Sequence, residues 1–398
     1  MTYDFESFLE KVPQPDTQPN TEWLARHVPI LVSLASNIPD HEEPICTVLA
    51  DLDVLLEEML DKLEEMKDSA AFYNGIVMFS VSTQIQSKAE EYRTLSVERS
   101  TSADVASEYE KMAEQLEKLN AQLESYVETL PVVGFNSGKY DLNLIQQRLV
   151  PLLNLDVGEE KGIVIRKQNQ YSCISANHFR FLDISNYLAP HTSYDIFLKA
   201  YKCSVNKSFL PYEWFDSADK LTYDRLPDYD AFYSSLKGVN TLEVGYATYE
   251  NLIAGGMTQE EALKKLHLKD VPLTGPAQYQ ELQNTWQSKR MQTFQDFLEE
   301  YNNIDVLPFV EAVEKMIKVY ADRGISMLRD AISVPGISRI SLFKCARELD
   351  VSFPLFGPED HEIHTLFKTN VVGGSFIIVF MRKARPPLGH QVTSPFSR

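Results

Sequence analysis

Asp4 and Glu6 in "TYDFESF" stand two residues apart on a segment whose apolar content reads as an opening strand, so both carboxylates fall on one face. Two acids with no base beside them are costly to bury unless a cation joins them, and a divalent ion is the natural partner. A third acid, Asp141, ends the turn in "VVGFNSGKYDLNLI" (132–145). Val132, Val133 and Phe135 read as a buried strand and Asn136-Ser137-Gly138 as the turn. Leu142, Ile145 and Leu149 recur at helical spacing, which puts Tyr140 and Asp141 in a first helical turn. In "YNNIDVLPFVEAVEKM" (301–316), Tyr301 and Asp305 are four apart, one turn apart on a helix, adding a phenol and a fourth acid. Taken singly, each has a plainer reading: a solvent-facing edge strand for Asp4 and Glu6, a dipole-compensating residue for Asp141, a helix cap or first-turn acid for Asp305.

The elements that would position these residues follow from pattern. Residues 2–8, 27–36 and 44–50 have strand-like content, 51–67 reads as a helix, and 132–135 is a strand feeding a helix at 140–150. "KGIVIRK" (161–167) and "QYSCIS" (170–175) suggest a hairpin, and 178–185 adds a strand. From about 193 onward helices prevail, including 258–267, 276–301 and 305–322, the first of them opened by a capping box of Thr258 and Glu261. Tyr109, Met112, Leu116, Leu119, Leu123 and Val127 mark 107–130 as an amphipathic helix, and the polar 96–107 before it as a mobile loop. Residues 83–130 thus read as a helical insertion, and there is no internal repeat.

A chain of 398 residues with 44% hydrophobic content can bury a large core. No apolar run approaches the roughly 20 residues that span a bilayer, and the N-terminal stretch has no signal-peptide pattern, so an intracellular location is expected. The scattered Cys46, Cys173, Cys203 and Cys345 suit a reducing compartment as core thiols and argue against a zinc site. Trp23, Trp214 and Trp286 read as core or interface residues, and His361 and His364 as part of a surface loop. The net charge of −19 argues against nucleic acid until its distribution is read: residues 41–130 hold 20 acidic and 7 basic side chains and so carry −13 of it.

The ordered set Asp-x-Glu, Asn-x-x-x-Tyr-Asp, Tyr-x-x-x-Asp resembles the three exonuclease motifs of the proofreading domain of family B DNA polymerases. "FLDISNYLAPHTSYDIFLKAY" (181–201), "PYEWFD" (211–216) and "YDAFYSSLKG" (229–238) are similar to the organellar, viral and transposon branch, which includes protein-primed polymerases. The resemblance implies an α/β, ribonuclease H-like exonuclease fold, a mixed sheet flanked by helices, with a helical insertion and a helical C-terminal part. It implies that Asp4, Glu6, Asp141 and Asp305 hold two Mg²⁺ or Mn²⁺ ions, that Tyr301 orients the attacking water, and that Asn136 and Tyr140 contact a single-stranded DNA 3′ end. Two such ions roughly 3.5–4 Å apart can activate a water and stabilise the departing 3′ oxygen. No small organic cofactor and no membrane partner are expected.

The chain departs from the family at stated places. Where protein-primed members carry a catalytic lysine after the strand at 178–185 there are Tyr194 and Asp195, with Lys199 the nearest lysine. Ile184-Ser185 follow Asp183 where a Ser or Thr precedes Leu, and Val371-Val372-Gly373-Gly374 replace Tyr-x-Gly-Gly. The polymerase motifs Asp-x-x-Ser-Leu-Tyr-Pro and Tyr-x-Asp-Thr-Asp are absent from the sequence. The expected organisation is an exonuclease domain over 1–325, the start of a truncated polymerase region over 326–383, and a disordered tail over 384–398, with no nucleotide addition by this chain. Two other outcomes remain: an inactive single-strand-binding remnant whose frayed first strand cannot hold metal, and a protein-interaction module using the acidic helix 107–130.

Overall fold

The computed structural model describes residues 1–12, 25–98, 102–153, 155, 162–176, 178–204, 208–352 and 357–370. Trp23, the Val371–Gly374 run, the tail 384–398 and part of the 96–107 segment lie outside the described residues. Two compact units are present, Met1–Arg339 and Ile340–Arg398.

Strict alternation makes the first strand. In β1 (Thr2–Glu10), Tyr3 and Phe5 face one core while Asp4, Glu6 and Phe8 take the opposite face. β1 pairs antiparallel with β2 (Arg26–Ala35) from Thr2 opposite Ala35 to Glu10 opposite Arg26, with one irregularity between Glu6 and Ser7. The strand that carries the first two acids is therefore paired along its whole length, not frayed. β2 continues to β3 (Ile45–Val48), and a long helical hairpin follows, α1 (Leu52–Val97) and α2 (Ala103–Glu128). β4 (Leu130–Gly134), α3 (Asp141–Leu152), the hairpin β5 (Ile163–Lys167) and β6 (Gln170–Ala176), and β7 (Phe179–Asp183) complete a seven-stranded mixed sheet of order β3-β2-β1-β4-β7-β6-β5. β1, β4 and β7 run parallel at its centre, and the antiparallel arms lie on either side.

Helices cover both faces. On one, Leu55, Leu56, Met59, Leu63 and Met66 of α1 and Leu142, Ile145 and Leu149 of α3 bury against Tyr3, Phe5, Val32 and Leu34. The i, i+3/i+4 spacing of those leucines and methionines is what turns one helix face to the sheet, at roughly 1.5–3 kcal/mol per fully buried side chain. After β7 come α4 (Tyr194–Ala200), the short pair β8 (Tyr233–Ser234) and β9 (Val239–Asn240), α5 (Val244–Ala254), α6 (Gln259–Leu266), α7 (Gly275–Ser288) and α8 (Phe294–Ala321). Phe294, Phe297, Leu298 and Tyr301 of α8 close the other face over Phe8, Ile30, Leu31 and Phe215. Short α9 (Met327–Asp330) and the start of α10 (Val334–Glu348) end the first unit; the second holds the rest of α10 and α11 (His361–Asn370).

Four readings need correction. The helix expected over 51–67 runs on without a break to Val97, so the insertion's first arm is the outer part of α1 and its second arm begins at Ala103. The break expected between helices at 302–304 lies instead at 289–293, where Arg290 takes a left-handed φ of 55°. Tyr301 and Asp305 consequently sit in the interior of α8, and Asp305 caps nothing. His361 and His364 are exposed, as expected, but on a helix. Of the cysteines only Cys173 and Cys203 are buried; Cys46 is half-buried and Cys345 exposed. The β5–β6 hairpin, the capping box at Thr258 and Glu261, and the packing of Trp214 and Trp286 against the core match expectation.

Candidate active site

A cavity of about 890 Å³ opens across β1, the turn after β4, and α8. Asp4, Glu6, Asn136, Tyr140, Asp141, Tyr301 and Asp305, all seven residues singled out from the sequence, line it.

Each arrives by a distinct local device. Asp4 and Glu6 are placed by the β1 alternation, and the strand is pinned to α8 by two polar contacts, Asn302 Nδ2 donating to the Asp4 carbonyl at 3.2 Å and Thr2 Oγ1 to the Val306 carbonyl at 3.3 Å, with a third from neighbouring β2, Ser33 Oγ to Asn303 Oδ1 at 3.1 Å. These fix the helix that carries Tyr301 and Asp305 against the strand that carries the first two acids. Near Asp305, Tyr194 donates to the Asp305 carbonyl, and Phe135, Tyr194 and Phe309 pack edge to face.

Asp141 depends on the turn that precedes it. Asn136 adopts φ 57°, a left-handed conformation that Asn tolerates better than most residues. The Asp183 carboxylate braces the turn by accepting from the N–H of Gly138 at 3.1 Å and of Ser185 at 2.8 Å, while Ser185 Oγ accepts from the Asn136 N–H at 3.1 Å. Gly138 is obligatory, because a Cβ there would stand 2.0 Å from the Tyr171 carbonyl oxygen. The chain then enters α3 with Asp141 as its first residue.

The electrostatics are those of buried acids. Asp141 is 3% exposed, and its carboxyl is pushed up to about 7, by burial first and by the charge of Asp183, against the opposing N–H groups of Asp141 and Phe5. Its Oδ1 is buried without a hydrogen-bond partner. Burial, then the charge of Glu6, holds the Tyr301 hydroxyl well above its ordinary range, and Tyr301 shares a 2.9 Å hydrogen bond with the Tyr212 hydroxyl. Tyr140 is pushed up to about 12 by burial and meets His27 Nδ1 at 2.6 Å, with the two rings at 85°.

Tyr212, Tyr194, His27, Lys139 and His191 also line the cavity and had no assigned role in the sequence. Tyr212 and Tyr194 lie in stretches that stand out, "PYEWFD" and "APHTSYDIFLK", yet nothing local says that either points at the acids. His27 carries no signal at all, since its partner is 113 residues away. Together these residues give the acidic cavity two imidazoles, His27 and His191, and the ammonium of Lys139.

An all-oxygen donor set, including one buried carboxylate oxygen with no other partner, fits a hard divalent cation. Among the described residues no three His, Cys, Asp or Glu side chains already stand close enough to hold an ion. The four acids therefore share the cavity as separate positions and would have to draw together around metal. Among the same residues no helix is long and apolar enough to cross a membrane. Comparison with known proteins finds no matching family model, no matching curated protein and no matching solved structure.

Proposed function

We propose that the chain is a metal-dependent 3′–5′ exonuclease acting on single-stranded DNA ends, with a ribonuclease H-like fold, of the kind that proofreads for family B DNA polymerases of the organellar, viral and transposon branch. The observation that carries this reading is the convergence of three motifs, separated by up to about 300 residues of chain, on one cavity. The mixed sheet flanked by helices is compatible with that fold.

In this reading Asp4, Glu6, Asp141 and Asp305 are the residues that would hold Mg²⁺ or Mn²⁺. The ions when bound supply activation of water and neutralisation of charge at the leaving 3′ oxygen. The remaining work belongs to the chain's own groups. Tyr301, kept protonated by burial, donates or accepts one hydrogen bond at the place where water would attack, and Tyr212 fixes the direction of that hydroxyl. Tyr140, held edge-on by His27, offers a ring face to an unpaired terminal base, and Asn136 offers an amide beside it. Lys139 answers the phosphate charge that the carboxylates would repel.

The test is incubation of a short 5′-labelled single-stranded oligodeoxynucleotide with the chain and Mg²⁺ or Mn²⁺. A ladder of products shortened from the 3′ end, abolished by chelator and by Asp305→Ala, supports the reading. Binding of the strand without shortening selects the inactive remnant instead.

A further inference from the structure

The outer part of the α1–α2 hairpin, beyond Met66, leaves several large apolar side chains uncovered. Beyond Met66 its fully buried residues are Ala89, Ala113 and Asn120, and half-buried Ile85 and Leu116 share the crevice between the helices with them. Arg93 makes two bonds to the Glu117 carboxylate at 2.6 and 2.7 Å, Ser82 Oγ donates to Asn120 Oδ1 at 2.8 Å, and Tyr92 stacks on Tyr109. Other large apolar side chains of the outer part of α1 stand exposed. Phe72, Ile76 and Phe79 are 66%, 61% and 73% exposed, and their i, i+4, i+7 spacing lines them along one face of α1. A two-helix hairpin gains most by turning such residues inward, so their placement outside marks a surface made for contact.

The same stretch fixes the chemistry of what would cover it. Residues 69–87 of α1 carry no charged side chain, a length of about 28 Å along the helix. Before it Asp61, Glu64, Glu65 and Asp68 outnumber Lys62 and Lys67, which pair with the last three; after it Lys88 pairs with Glu91 and Arg93 with Glu117, beside Glu90 and Glu98, and 41–130 as a whole carries −13. An i, i+4, i+7 row of anchors is the way one helix docks on another protein surface. The acidic surround repels nucleic acid and anionic membrane, and it repels a second copy of the same hairpin.

We propose that the outer half of α1 docks an amphipathic helix of another protein, with an apolar stripe that covers Phe72, Ile76 and Phe79 and with flanking Lys or Arg that meet the bounding acids. This interaction surface is independent of the cavity and its chemistry.

The probe is a fluorescein-labelled helical peptide about five turns long, with Leu at i, i+3, i+4 and i+7 and Lys elsewhere; its counterpart has Glu in place of Lys. Fluorescence anisotropy is read with the full chain and with Phe72→Ser/Phe79→Ser, which keeps every charge. The expected result is saturable binding of the Lys peptide, weaker at high salt, at least about tenfold weaker in the variant, and absent for the Glu peptide. Far-UV circular dichroism of the variant should equal that of the parent; if helix is lost, Ile76→Gln replaces it. Equal affinity of variant and parent would reduce the effect to bulk charge and overturn the proposal, as would no binding. A dimer in sedimentation that the variant abolishes would assign the face to a second copy and overturn it too.

Discussion

Replacing Asp141 by Asn separates the cost of a buried charge from the shape of the site. In the folded chain the carboxyl titrates near 7, against about 3.9 when unfolded. The folded state therefore binds more protons between those values, and the stability of the metal-free protein falls as pH rises from about 4 to about 7. Above that window the full cost is on the order of 4 kcal/mol, since each tenfold change in affinity for a proton is about 1.4 kcal/mol. Asn keeps the size and an oxygen to accept from the N–H groups of Asp141 and Phe5, but it never ionises. Loss of a first-turn charge at the N-terminus of α3 works against it by about 0.3–1 kcal/mol. Near pH 8 in chelator, Asp141→Asn should thus be about 3 kcal/mol more stable than wild type, and near pH 4 no more stable. Urea denaturation across that range measures it. Asp183, also raised by burial, leaves a slope of the same sign in the variant. Equal stability of the two proteins at both pH values would refute the reasoning, because Asp141 would then be an ordinary solvated helix-start acid.

Gly138→Ala forces the Tyr171 backbone to move and disturbs the turn that Asp183 braces, so it should lose about 2–4 kcal/mol in urea denaturation, unlike a surface Gly such as Gly75, which has nothing near its Cβ position. Tyr301→Phe removes one hydroxyl of the Tyr212–Tyr301 pair and leaves the acids in place; strand trimming should slow while Mn²⁺ affinity stays unchanged. Primer extension on a template should give no incorporation, because the sequence lacks the carboxylate motifs of a polymerase palm.

Sequence pattern carried the sheet and the acids further than it carried the helices. Alternation in β1 puts Tyr3 and Phe5 on one face and Asp4 and Glu6 on the other, and period two admits no other arrangement. Asp141 was legible because the turn, the glycine and the apolar spacing of α3 are all local. The outer part of α1 was not, since "SAAFYNGIVMFSVSTQIQS" has no charge pattern and Val77 and Val81 fall outside the Phe72, Ile76, Phe79 row, and its helix is completed by pairing with α2. α8 was split because Pro308 and the polar "YNNID" look like a boundary, yet Asn302 and Asn303 spend their amides on β1 and β2, contacts no local window contains. Tyr212 and His27 join the cavity from separate parts of the chain, which is why residue types without spacing did not reveal them.

Whether the acids of the cavity hold metal together decides most directly if the chain is a metal-dependent nuclease. Electron paramagnetic resonance of free Mn²⁺ during titration of the metal-free chain near pH 8 counts the ions bound. Two ions are expected for wild type, with a rise in melting temperature on binding, and loss of at least one ion in both Asp141→Asn and Glu6→Gln. The same number of ions, at the same affinity, in wild type and in both variants would contradict that expectation.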